Sequence, residues 1–254
     1  MKNIMNTREG LAMAIELCHH MAQMAETAYL NEQNGRRKYR LELGYDWHRF
    51  IDVRGAQCHI LRNGKNMVVA FRGTEPKELS DLTADLNAFP DRAQVGGFVH
   101  NGFQNELEKV WTQLVAILDQ FQEHRNLYIC GHSLGGAMAT ICASRLDPAA
   151  LYTYGSPRAG TRKFIRSITC PHYRHVNNND IVPKVPFAFM GYKHQGSLRY
   201  INFYGNIRKM SKWQRFKDGW RGRVAAWKNK APFDGARDHG MANYVKYLGK
   251  TNAN

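Results

Sequence analysis

The stretch Gly131-His132-Ser133-Leu134-Gly135 sets a serine between two glycines where an apolar run, LYIC, gives way to a run of helical character, GAMATICASRL. A strand that turns sharply into a helix at a serine lifts the hydroxyl above the sheet. Glycines two residues to either side let the chain double back without a clash. The helix opening at Leu134 aims its first N–H groups and the positive end of its dipole at the same spot. The chemistry expected of such a turn is acyl transfer. Ser133 is the nucleophile on an exposed elbow built by Gly131 and Gly135.

A serine alone is a poor nucleophile, and in this type of elbow the acid and then the histidine follow it along the chain. The acids after Ser133 are Asp147, Asp180, Asp218, Asp234 and Asp238, with no glutamate. Asp147 reads as a helix end, and Asp218 stands among cations. Asp180 follows strand YRHV through Asn177-Asn178-Asn179 and precedes the stiffening Pro183 and Pro186, which places a carboxylate at the carboxyl edge of the sheet. Beyond it lie His194 and His239. His239, in the polar stretch before the last helix and read as a loop residue, is favoured as the base; His194 is the structural alternative. Thr74, just past strand MVVAF, offers an N–H and a hydroxyl to an oxyanion.

Those residues need a scaffold. Leu11, Ile15, Cys18, Ala22, Ala25 and Tyr29 recur at helical spacing behind the capping-box pattern Asn6-x-x-Glu9. RFIDVRG and QCHILRNGKNMVVAFRG read as antiparallel strands, with Asn63-Gly64 as a tight hairpin. Helix Leu107 to Phe121, strand LYIC, the helix from Leu134, strand LYTYG, a short helix from Arg162 to Ile168, strands YRHV and RYINFYG, and a closing helix after Asp238 follow. This alternation predicts an α/β fold with a mostly parallel central sheet, antiparallel N-terminal strands and helices on both faces.

The chain has 254 residues, 43% of them hydrophobic, which suits one well-buried domain over 1–254. No run approaches the roughly 20 apolar residues of a membrane span, and the N-terminus lacks a signal-peptide core. A soluble protein is expected, cytoplasmic or exported without a signal, or peripheral to a membrane. The five cysteines lack C-x-x-C spacing, and His19-His20 point in different directions on a helix. No metal and no cofactor are expected.

These motifs together resemble the class 3 lipases, the family of the fungal extracellular lipases. The family's patterns match in order as FRGT (71–74), DLTADL (81–86), VHNGF (99–103), GHSLGG, YGSPRAG (154–160), VNNNDIVPKVP (176–186) and DHGMANY (238–244). The resemblance implies an α/β-hydrolase fold, Ser133 as nucleophile, Asp180 as orienting acid and His239 as base. It also implies Thr74 and the Leu134 N–H as the oxyanion hole. His100 in VHNGF reads as a packing and hydrogen-bonding residue. Where the family carries a lid, Glu75 to Phe89 is short and polar here. The family's glutamate a few residues after His194 is replaced by Leu198.

Charge is uneven. Residues 1–133 hold 15 Lys/Arg against 16 Asp/Glu, and residues 134–254 hold 21 against 5 Asp. The segment 208–230 carries nine Lys/Arg and one Asp, with Trp213, Phe216, Trp220, Val224 and Trp227 at helical spacing. With Lys212, Arg215, Arg221 and Arg223 this reads as a basic amphipathic helix for an anionic membrane surface. The bland alternative packs the tryptophans on the domain and leaves the charges solvated. The expected function is a serine carboxylic-ester hydrolase, a lipase or phospholipase, with a lipid ester as substrate. An esterase for soluble or plant-wall esters and a non-catalytic binder of anionic membrane or nucleic acid are the alternatives. Helical rather than platform spacing of the aromatics argues against nucleic acid. The oligomeric state is not legible.

Overall fold

The computed structural model describes residues 8–75, 89–121, 126–228 and 234–252. The strands in chain order are β1 (Trp47–Val53), β2 (Ala56–Asn63), β3 (Asn66–Phe71), β4 (Pro90–Arg92), β5 (Phe98–His100) and β6 (Asn126–His132). They continue as β7 (Ala150–Tyr154), β8 (Gly160–Thr161), β9 (His172–Asn177), β10 (Tyr192–Lys193), β11 (Ser197–Ile201) and β12 (Ile207–Arg208). The helices are α1 (Arg8–Thr27), α2 (Glu32–Leu41), α3 (Asn101–Asp119), α4 (Leu134–Leu146), α5 (Arg162–Ile165), α6 (Lys212–Lys228), α7 (Asp234–His239) and α8 (Met241–Asn252).

The large sheet runs β1-β2-β3-β6-β7-β9-β11-β12. β1 to β3 are antiparallel, β3 to β11 pair in parallel, and β12 returns antiparallel on β11. The expected tight hairpin forms at Asn63-Gly64, with Asn63 opposite Asn66 and Gly64 at φ 54°. A small antiparallel sheet, β10-β8-β5-β4, lies apart from the first.

Successive strand residues point to opposite faces, so each strand feeds two cores. Cys58, Ile60, Val69 and Phe71 join α3 and α4 on one side, where Phe103, Leu107, Val110 and Leu114 pack. Leu61, Val68, Ala70 and Tyr154 join α1 and α8 on the other, against Met21, Ala25, Tyr244 and Leu248. The helices thus cover both faces, which is why the central strands read as continuous apolar runs.

Several expectations change. The RYINFYG strand ends at Ile201, because a turn at 202–206 precedes β12. Helix α2 and the small sheet were not anticipated: α2 is polar and buries only Gly35 and Tyr39, and β4, β5, β8 and β10 are two or three residues long. Asn6 and nearly all of the segment read as a short lid, 76–88, lie outside the described residues. No helix among the described residues is long and apolar enough to cross a membrane.

Candidate active site

The parallel strands β3, β6, β7 and β9 end at the same edge of the sheet, where an open α/β sheet offers its crevice. Their ends supply Gly73-Thr74, Ser133, Gly155 and Asp180.

At the end of β6 the chain turns with Ser133 at φ 56° and ψ −129°, a conformation that a non-glycine residue holds only at a cost of about 1–3 kcal/mol. Two hydrogen bonds hold it there: Ser133 N–H donates to the Tyr154 carbonyl at 3.1 Å, and the Ser133 carbonyl accepts from Gly136 N–H at 2.9 Å. The elbow glycines are required by contact. A Cβ on Gly131 would collide with the Gly135 carbonyl, and one on Gly135 with the carbonyls of Phe71 and Arg72. Leu134 is the first residue of α4, so its N–H has no carbonyl one turn back to pair with. A Cβ on Gly73 would come within 3.1 Å of the Ser133 Cβ, which makes Thr74, half-buried, a close chain neighbour of the serine. The elbow is not exposed as expected: Ser133 is 0% exposed.

Asp180 is also fully buried, one strand further from the serine than its neighbour β7. Its carboxylate accepts four contacts: His239 Nδ1–H at 2.9 Å to Oδ1 and 3.0 Å to Oδ2, Tyr244 O–H at 2.5 Å, and Val182 N–H at 3.0 Å. Because the carboxylate only accepts, the His239 proton sits on Nδ1 and Nε2 carries the lone pair of a base. Gly155, at φ 55°, leaves room for the pair; a Cβ there would stand 2.7 Å from Asp180 Oδ2 and 2.8 Å from His239 Nδ1. Tyr244 is held neutral well above the ordinary tyrosine range, by burial first and then by the adjacent carboxylate.

His239 Nε2 and Ser133 Oγ are both buried without a hydrogen-bond partner among the described residues. The Ser–His bond is therefore open in this structure, and closing it would satisfy two costly orphan groups at once. His239 is not in a loop; it is the last residue of α7, which Asn177 Nδ2 (to the Asp238 carbonyl, 2.9 Å) and Asn179 N–H (to Asp238 Oδ2, 3.2 Å) tie to the Asp180 turn. His194 is elsewhere, with its Nε2–H donated to the Pro183 carbonyl at 2.7 Å.

Four groups of residues escaped the sequence reading. His132, the variable position of the elbow motif, donates from Nε2 to the His239 carbonyl at 2.7 Å and accepts at Nδ1 from Tyr29 O–H at 2.7 Å. Burial, and then the neighbouring His239, keep it neutral, well below the ordinary histidine value. The Tyr29 hydroxyl also packs against the Gly73 backbone, where an added Cβ would collide with it. Tyr244 was seen only as part of the last motif. Asn177 to Asn179, read as a strand end, form a junction, and Asp218, set aside as one acid among cations, is buried beneath it. Asp218 Oδ2 accepts from Asn178 Nδ2 (3.2 Å), Tyr200 O–H (3.0 Å) and Phe203 N–H (2.9 Å). The sequence signal was weak: an acid in a basic helix reads as solvated until its partners are known.

The basic segment is helix α6, and the seven residues singled out on it divide. Asp218, Gly219, Gly222 and Ala226 face inward, and Gly219 fits because its carbonyl accepts from Asn179 Nδ2 at 2.9 Å. Trp213, Trp220 and Trp227 are 63%, 59% and 77% exposed, so the tryptophans do not pack on the domain. Arg221 lies beside Trp213 and Trp220 on that outer face, while Lys212, Arg215 and Arg223 line a cavity on the other side. His100 stacks on Phe103 at 4.1 Å, as its packing role requires, but neither ring nitrogen has a hydrogen-bond partner among the described residues.

Residues 68–190 match the family of lipases of class 3. The chain is 36% identical over 154 residues to a lipase of Rhizomucor miehei, which covers 54% of this chain and 42% of that protein. It is 37% identical over 147 residues to secreted mono- and diacylglycerol lipase 1 of Fusarium solani, covering 51% and 42%. The match thus spans less than half the length of these curated relatives. The fold is similar to the solved structure of the Rhizomucor miehei triacylglyceride lipase, with a TM-score of 0.60 and 28% identity over 77% of this chain and 81% of that one. With its elbow and sheet order, the chain has the α/β-hydrolase fold of these lipases, and its residues 68–190 are similar to the class 3 lipase family.

Proposed function

We propose that this chain, as one domain, is a serine carboxylic-ester hydrolase that acts on lipid acyl esters through an acyl-enzyme. The observation that carries the reading is a strained serine whose Oγ is unpaired, set in the same crevice as a histidine whose Nδ1 is committed to a buried carboxylate. Ser133 Oγ attacks the ester carbonyl while His239 Nε2 takes its proton. Asp180, with Tyr244 behind it, keeps the imidazole oriented, and the Thr74 N–H and hydroxyl and the Leu134 N–H receive the oxyanion. His239 then protonates the departing alcohol, and water releases the acid by the same steps in reverse order. The names of the relatives, a lipase and a mono- and diacylglycerol lipase, favour a lipid ester.

The outward tryptophans of α6, interleaved with Lys217 and Arg221, suit an anionic lipid surface, where each cation contributes about 1 kcal/mol. The excess of +16 in residues 134–254 draws the crevice toward such a surface, so phospholipid is favoured over neutral fat. The test is p-nitrophenyl ester turnover and vesicle hydrolysis by the wild type and by Ser133→Ala. The serine variant should lose both, with circular dichroism unchanged; turnover retained above a few per cent would overturn the nucleophile. Anionic vesicles should be cleaved faster than neutral ones at low salt, and equal rates would remove the surface role of α6.

A further inference from the structure

A cavity of about 410 Å³ lies between α6, β9, β11 and the turn after Asp180. Arg158, Arg174, Arg215, Lys212 and Arg223 line it, and Asp180 is the one carboxylate on its wall. That carboxylate is already engaged with His239 and Tyr244. Among the described residues no acid pairs with Arg158, Arg174 or Arg215, although Arg158 is anchored by the Lys184 and Pro186 carbonyls. The Nε of Arg174 is buried without a partner. Burial, and then the repulsion of Arg158 and Arg215, pull the Arg174 guanidinium down to about 10, so it remains charged at neutral pH.

Converging cations without counter-charge cost free energy in a folded chain unless something else occupies the space between them. A single carboxylate would answer one guanidinium. A phosphate carries close to two charges and presents three or more acceptor oxygens, which matches several bidentate forks. The volume suits a small ligand rather than a nucleic-acid duplex. We propose that this cavity is a binding site for a phosphate monoester group, gripped by Arg158, Arg174 and Arg215. The site is separate from the ester-cleaving serine and does not depend on the reading of that serine as a nucleophile.

The experiment is calorimetric titration of the full chain with inorganic phosphate at about 150 mM NaCl, where diffuse charge effects are largely screened. One saturable site with a Kd below about 1 mM is expected. Arg174→Gln and Arg215→Gln should each weaken it about tenfold or more. Removing two charges far away, by Arg37→Gln with Arg40→Gln on α2, should leave the Kd unchanged. If Arg174→Gln does not fold, Arg215→Gln carries the test. Absence of a saturable site, or equal weakening by the α2 pair, would overturn the proposal. Phosphatidylcholine vesicles with about a tenth phosphatidic acid identify the source of the phosphate. Displacement of bound phosphate by these vesicles assigns the site to a lipid headgroup, and undisturbed phosphate binding assigns it to a soluble phosphate ester.

Discussion

Replacing Tyr29 by Phe probes a chain of contacts that reaches both sides of the crevice. Gly73 packs against Tyr29 Oη, Tyr29 O–H donates to His132 Nδ1, and His132 Nε2–H donates to the His239 carbonyl. Every direction in this chain is fixed: the last acceptor is a carbonyl, so the proton of neutral His132 is on Nε2 and its Nδ1 must accept. Removing the hydroxyl leaves His132 Nδ1 buried without its partner and opens a gap beside Gly73. At about 1–3 kcal/mol for the one orphan, the variant should lose about 2 kcal/mol of stability. For a domain of this size that is a fall in Tm of about 4–8 °C. Because Gly73 precedes Thr74, kcat on a short p-nitrophenyl ester should drop about tenfold with KM little changed, as expected when transition-state support is loosened. A double-mutant cycle with His132→Asn should show coupling of about 1 kcal/mol or more. Wild-type Tm and kcat for Tyr29→Phe, or strict additivity in the cycle, would refute the chain as a positioning device.

Thr74→Val should lower kcat by about 10²–10³ if its hydroxyl meets the oxyanion, and an unchanged kcat would leave only its backbone N–H in that role. His239→Ala should be as damaging to turnover as loss of the serine, whereas His194→Ala, which frees the Pro183 carbonyl, should cost about 1–3 kcal/mol of stability and spare kcat; the reverse pattern would move the base. Burial, the largest cause in each case, lowers buried His59, His172 and His175 from an ordinary 6.5 to about 3, 4 and 3. Their folded values lie below their unfolded ones, so their contribution is complete above pH 6.5 and is lost as pH falls toward about 4. With three protons taken up on unfolding, stability should fall by about 4 kcal/mol per pH unit in the lower part of that window. Urea midpoints that stay flat between pH 6.5 and 4 would contradict this.

The elbow and the pairing of Asp180 with His239 were legible because each depends on local spacing. Gly131 and Gly135 announce a close approach, and the short roster of acids and histidines after Ser133 leaves few choices. What was not legible depends on contacts across the fold. Tyr29, which lies in the turn after α1, looked like one more apolar position of that helix, because helical periodicity cannot tell a packed ring from a packed ring with a working hydroxyl. Asp218 looked solvated, because its partners lie 15 to 40 residues away in sequence. The burial of Ser133 could not be read either, since exposure is a property of everything packed around a turn. The tryptophans of α6 are the opposite case: their helical spacing also allowed an inward face, but Gly219 and Gly222 take the inner positions, Gly219 against Asn179.

The junction at Asn177 to Asn179 also bears on how such a chain can change over generations. Asn177 serves α7 and Tyr244, Asn178 serves Asp218, and Asn179 serves both Asp238 and Gly219. A substitution at any of the three must be answered on another element, so these positions and 218–219 are bound to drift together or not at all. The outer residues of α6 have no such tie to the Asp180 turn, since Trp213, Trp220, Arg221 and Trp227 project away from that junction. Natural variation should therefore recolour the outer face of this helix freely, retuning which surface the protein visits, while its inner face stays locked to the turn that holds Asp180.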